Sequence, residues 1–216
     1  MGTTKVVALF ACGLILCAAT ASSAGLLSGN PLAYNDGNGP ASGAWTGTIP
    51  FNNGSGLQGE LDFAVFTTTV FNANFSGLGY TPSASPAGGL VYAYQLINTA
   101  NPAGDYISAE IVGIVNPANT IGSFNIGDIA PALATFSGGN AAWQFNPSIG
   151  AGETSWGLAF SSPNAPMAGV ALTVDGGGTA QTIGVPTPSA VAIPEPASLA
   201  LCAALGALMF ACRRAR

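Results

Sequence analysis

The chain has 216 residues, 49% of them hydrophobic and only 6% charged, with 30 Gly, 15 Pro and no His. Its bases are Lys5, Arg213, Arg214 and Arg216, so between Val6 and Cys212 there is no positive side chain at all. That excludes nucleic-acid binding and Arg- or Lys-based phosphate recognition, both of which need cationic groups, and it excludes His-dependent nucleophiles and imidazole metal sites.

Residues 1–24 have the three parts of a secretory signal peptide. Lys5 is the positive start, Val6–Ala19 is a short apolar run, and Ala19-Thr20-Ala21 or Ser22-Ser23-Ala24 offers the small residues that signal peptidase reads. Residues 25–183 follow as the expected ectodomain. It carries Asp36, Glu60, Asp62, Asp105, Glu110, Asp128, Glu153 and Asp175 and no base, so its stability rests on apolar burial and backbone hydrogen bonds rather than on ion pairs. It also holds none of the four cysteines (Cys12, Cys17, Cys202 and Cys212), which excludes a disulfide or thiolate metal site there.

Short runs rich in aromatic and β-branched residues, punctuated by Gly, Pro and Asn, predict an all-β fold, a β-sandwich of jelly-roll or immunoglobulin-like kind. The expected strands are Ala44–Ile49, Leu61–Phe71, Leu90–Ile97, Ile107–Val115, Ala141–Phe145, Thr154–Phe160, Gly169–Val174 and Thr179–Ile183, with no amphipathic helix. Alternation puts Leu61, Phe63 and Val65 on one strand face, Trp156, Leu158 and Phe160 on another, and Ile107, Ala109, Ile111 and Val115 on a third. Residues 184–193, with Pro186 and Pro188, read as a semi-extended stalk.

Three groups of residues are candidates for chemistry. Glu60 and Asp62 stand two apart on one strand face, a spacing that brings carboxylates within the range glycosidases use; the alternative is a solvated strand face. Tyr34-Asn35-Asp36-Gly37-Asn38-Gly39 is oxygen-rich enough for Ca²⁺, the one cofactor in view, but lacks the bidentate Glu of an EF-hand and reads more readily as an Asx-rich turn. Trp45, Trp143, Trp156, Tyr92 and Tyr94 are the aromatics from which a sugar-stacking platform would be built, with core packing the default for those at period two.

The C-terminus has three parts: Pro194-Glu195-Pro196, an apolar segment Ala197–Cys212, and the cluster Arg213-Arg214-Ala215-Arg216. Sixteen residues make a helix of about 24 Å, which arginine snorkelling extends towards a bilayer core of about 30 Å. The arginines set the ectodomain outside by the positive-inside rule. Residues 194–216 in this order resemble the PEP-CTERM sorting signal of Gram-negative bacteria. The resemblance rests on Pro194, Glu195, Pro196, Arg213, Arg214 and Arg216 around the apolar helix. It implies an exosortase-type membrane protease-transpeptidase as processing partner, and a cell-surface or extracellular-matrix destination of the kind linked to biofilm polysaccharide. It implies a route and no activity. The expectation is therefore an exported, non-enzymatic surface or matrix protein, with a polysaccharide- or Ca²⁺-binding module as the alternative and a carboxylate-dependent glycoside hydrolase as a third reading.

Overall fold

The computed structural model describes residues 26–82, 89–100, 105–114 and 118–192. They form an all-β domain. A small ribbon of β1 (Asn35–Gly39) and β2 (Gly43–Ala44) precedes two five-stranded antiparallel sheets. The front sheet has the order β3-β4-β5-β10-β7, from β3 (Thr46–Asn52), β4 (Gln58–Thr67), β5 (Leu90–Asn98), β7 (Thr120–Phe124) and β10 (Gly157–Ser162). The back sheet has the order β12-β11-β6-β9-β8, from β6 (Ile107–Gly113), β8 (Pro131–Ser137), β9 (Asn140–Ile149), β11 (Asn164–Val174) and β12 (Thr179–Ala192).

The sheets enclose one apolar core in a sandwich-like arrangement. Leu61, Phe63, Val65, Tyr92, Tyr94, Leu158 and Phe160 come from the front, and Val112, Trp143, Phe145, Ala171 and Val185 from the back. Phe160 is its aromatic hub. It stacks on Tyr92 at 5.0 Å between ring centroids and lies 6.0 Å from Tyr94, 6.5 Å from Trp143 and 6.2 Å from Phe136. The alternation expected for Leu61/Phe63/Val65 and for Leu158/Phe160 is present.

The front sheet is covered on its other face as well. There Ala64, Phe66, Val91, Ala93, Phe124 and Ala159 pack against Leu27, Ala33, Phe71, Phe75 and Tyr80. Phe71 and Phe75 are supplied by α1 (Thr68–Phe75), four residues apart and so on one helix face. This helix replaces the last third of the expected strand Leu61–Phe71. A run of Thr and Val has strand propensity, but the Thr67 hydroxyl accepts the Val70 N–H at 3.2 Å and caps a helix there.

Glycines serve the front sheet as floors for aromatic rings. Gly157 pairs with Phe124, Gly47 with Phe63, and Gly59 with Phe51. In each pair the ring lies where a Cβ would project: Phe124 Cζ over Gly157, Phe63 Cζ 3.0 Å from that point over Gly47, and Phe51 Cζ 2.5 Å from it over Gly59. A glycine-rich sequence therefore packs tightly here without being disordered.

Two boundaries move. The expected stalk of residues 184–193 is instead largely strand: β12 continues to Ala192 and pairs with β11 through Val185, Pro186, Thr187 and Pro188. Prolines are tolerated because β12 is an edge strand, and Gly184 at φ +94° sits at an irregularity in the pairing. At β6 the pairing with β9 shifts register between Ile107 and Ala109, so the expected face Ile107/Ala109/Ile111/Val115 is broken. Ile107, Glu110 and Val112 are buried, while Ala109 and Ile111 are only half-buried. Residue 115 lies outside the described residues.

Candidate functional site

The expected aromatic platform does not exist as a surface. Trp45, Trp143, Tyr92 and Tyr94 are all buried, and Trp156 is half-buried. Burial is stabilised by polar anchors: Trp143 Nε1 donates to the Gly122 carbonyl at 2.9 Å, and the Tyr92 hydroxyl to the Asn164 carbonyl at 2.8 Å. The Tyr94 hydroxyl donates to the Pro186 carbonyl at 2.5 Å. Burial pushes the Tyr94 phenol well above its usual range, with Tyr92 and Glu110 adding to the shift.

The oxygens of Asn35 and Asp36 close their own turns. Asn35 Oδ1 accepts the Gly37 N–H at 3.0 Å; Asp36 Oδ1 accepts the Asn38 N–H at 2.9 Å and Trp45 Nε1 at 2.9 Å. The loop is thus an Asx-turn pair that also ties down a core tryptophan. Among the described residues no group of three or more acidic or thiol side chains is placed to hold a metal ion.

Glu60 and Asp62 are not presented together. Glu60 is exposed and lines a shallow depression of about 330 Å³ with Pro50, Phe51, Asn52, Gln58, Gly59 and Thr99. Asp62 is buried and accepts the Thr48 hydroxyl at 2.5 Å. α1 and the chain around Leu27 cover the face on which both carboxylates were expected to be solvated, so only Glu60, near its margin, stays in water.

A cleft of about 730 Å³ lies at one end of the sandwich where three chain segments meet. The first is the β3–β4 turn with Asn53 and Ser55, in which Asn53 Oδ1 accepts the Ser55 and Leu57 N–H groups at 2.8 and 3.2 Å. The second is the β11–β12 turn, Asp175 to Thr179, whose Asp175 Oδ1 accepts the N–H groups of Gly177, at 2.6 Å, and Gly178. The third is the entry to β6 with Asp105, Tyr106 and Ser108, joined by Ser148 of β9. Asn98 Nδ2 fixes that entry by donating to the carbonyls of Asp105 at 3.1 Å and Ile149 at 2.9 Å.

Tyr106 is the most exposed aromatic among the described large hydrophobics, at 62%. It is not among the aromatics expected from the sequence, which are the tryptophans and the tyrosines inside an apolar run. Its signal is its setting in the sequence: Tyr106 follows Pro102-Ala103-Gly104-Asp105, residue types that favour turns, instead of alternating within an apolar run. Asp105 is half-exposed beside it, and among the described residues no donor reaches its carboxylate. Gly56, at φ +123°, leaves the room this carboxylate occupies; a Cβ there would come within 2.5 Å of Asp105 Oδ2.

One more acid is unusual. Glu110 lies wholly within the core, between Trp143 and Thr173 in register. Its Oε2 accepts the Thr173 hydroxyl at 2.7 Å, and Oε1 has no partner among the described residues. Burial pushes its carboxyl up to about 8, the Thr173 hydrogen bond opposing, so it is held largely protonated at neutral pH.

The residues expected to carry sorting, Pro194, Glu195, Pro196, Arg213, Arg214 and Arg216, lie outside the described residues, as does the signal segment 1–24. Among the described residues no helix is long and apolar enough to cross a membrane. No family model, curated protein or solved structure matches this chain.

Proposed function

We propose that the chain is an exported, non-enzymatic cell-surface or extracellular-matrix protein, delivered through residues 1–24 and sorted by a PEP-CTERM-like tail, Pro194–Arg216. The observation that carries this reading is the segregation of charge: every base lies at an end, flanking an apolar segment, and every acid but Glu195 lies between residues 25 and 183. Signal peptidase and an exosortase-type enzyme are the processing partners of this reading, and the membrane is met through Ala197–Cys212 as a single transmembrane helix. The jelly-roll or immunoglobulin-like description of the sandwich belongs to the same proposal, supported by two five-stranded sheets over a shared core.

Cell fractionation with N-terminal sequencing tests it. The full chain is expected in the membrane or surface fraction with a new N-terminus near Ser22 or Gly25. Removal of Pro194–Arg216 leaves β12 intact and is expected to release the domain as a soluble exported protein. An intact Met1 on surface protein, or a truncated chain that survives a salt and carbonate wash in the membrane fraction, would overturn the proposal.

A second reading, a glycan-binding module, is favoured by one observation: the polar cleft beside the exposed ring of Tyr106. Sugar rings offer C–H faces to aromatic rings and hydroxyls to short polar side chains, and this cleft supplies both.

A further inference from the structure

We infer that the cleft walled by Tyr106 and Asp105 selects an amine-bearing saccharide, a hexosamine unit of a glycan, over neutral and acidic sugars; the inference rests on the glycan-binding reading above. Three features of the cleft lead to this ligand class. Tyr106 stands exposed at the mouth beside Ser148 and Thr179, whose hydroxyls donate and accept, and Ser108, whose hydroxyl donates to the Val174 carbonyl at 3.0 Å and is left to accept. A cleft of about 730 Å³ is in the range of small-molecule sites, and a pyranose ring stacked on Tyr106 would place its substituents among those hydroxyls.

The charge of the cleft then discriminates among sugars. Its two carboxylates are not equivalent. Asp175 Oδ1 is committed to the glycines of its own turn, whereas Asp105 carries a carboxylate that no described donor reaches. A uronic acid, sulfate or phosphate would meet negative charge with no base anywhere between Val6 and Cys212 to offset it. An ammonium group satisfies Asp105 with a charge-assisted hydrogen bond, and the uniformly acidic ectodomain steers cations towards it.

Calorimetric titration of the full chain in detergent micelles is the test. The probes are a glucosamine oligosaccharide with protonated amines, its N-acetylated counterpart and an oligogalacturonate. The amine-bearing oligosaccharide is expected to bind about tenfold or more tightly than the N-acetylated one, with no binding of the uronate. Tyr106→Ala should weaken both of the first two by about tenfold, and Asp105→Asn should abolish only the preference between them. Glu60→Gln, which does not line the cleft, serves as a control for unspecific charge attraction, and thermal unfolding of each variant verifies its fold. Equal affinity for the first two probes with Tyr106 still required would overturn the amine selection and leave the glycan-binding reading standing. Binding unaffected by Tyr106→Ala and Asp105→Asn would overturn the site. Failure of all three probes to bind would overturn the glycan-binding reading with it.

Discussion

The two sheets of this domain face the same core but are built differently. The centre of the front sheet is buried on both faces, sandwiched between the shared core and the cap formed by α1 and the chain around Leu27, while its edge strand β3 keeps exposed residues. Its central strands are correspondingly buried almost throughout, all six residues of β10 and eight of nine in β5, polar Gln95, Asn98, Ser161 and Ser162 included. The back sheet buries one face and leaves the other in water, where Ile183, Leu133 and Val170 are exposed. It also admits a carboxyl group to the core side, Glu110, which the front sheet does not. Uncharged strands therefore do not imply one kind of packing. What distinguishes the sheets is which face another layer covers.

The sharpest way to break the front sheet is to remove its hub. Phe160→Ala should cost about 3–5 kcal/mol, because Tyr92, Tyr94, Trp143 and Phe136 all lose their ring contact and the void is bounded by two sheets that cannot collapse independently. Urea unfolding followed by tryptophan fluorescence measures it. A loss under about 1 kcal/mol would mean that the two sheets do not share one close-packed core.

Much of the β architecture was legible in the sequence, and the residues that were not show why. Alternation identified Leu61/Phe63/Val65 and Leu158/Phe160 because single faces of regular strands carry period two. It failed at β6, where one register shift moved Glu110 to the interior, since a bulge leaves no mark in composition. It failed again at Thr67–Phe75, where a side-chain cap outweighed β-branched propensity. The stretch Pro131–Ser137 is not among the expected strands although Gly138-Gly139, both at positive φ, form the tight turn to β9 that a two-glycine hairpin signal predicts. Residues 184–192 passed as stalk because prolines disqualify only interior strands. The cleft was invisible, as Asn53, Asp105, Ser148 and Asp175 come together only through the fold.

Glu110 tests the back sheet. At low pH its carboxyl is protonated in both folded and unfolded chains. The unfolded chain releases the proton near 4.5, while the folded one retains it to about 8. Between those values the unfolded state binds fewer protons, so this group's share of stability is complete below about 4.5 and is lost as pH rises towards 8, with a slope of up to about 1.4 kcal/mol per unit. Glu110→Gln keeps the shape without the ionisation. Wild type and variant should therefore be closest in stability at pH 4, with the variant gaining steadily up to pH 8. Thermal melts of both proteins across that range give the comparison, and a constant difference would mean that Glu110 ionises freely in the folded state.

The smallest effect is expected on the outer face of the back sheet, at Ile183, which is 71% exposed on edge strand β12 opposite Val170. If water, not another layer, covers that face, exchange of one exposed β-branched residue for another should shift stability by no more than about 0.5 kcal/mol. Ile183→Thr is the appropriate change: it keeps the branch at Cβ, and with it the strand preference, and removes apolar surface that contributes little while exposed. The analogous change Val91→Thr on the front sheet's outer face, where α1 lies, would bury a hydroxyl in the apolar cluster beside Phe66 and cost several times more. Chemical denaturation of Ile183→Thr in the full chain settles which situation holds at β12. A loss well above 1 kcal/mol would show that this face, too, is packed against a layer, and the contrast between a doubly covered front sheet and a half-open back sheet would have to be abandoned.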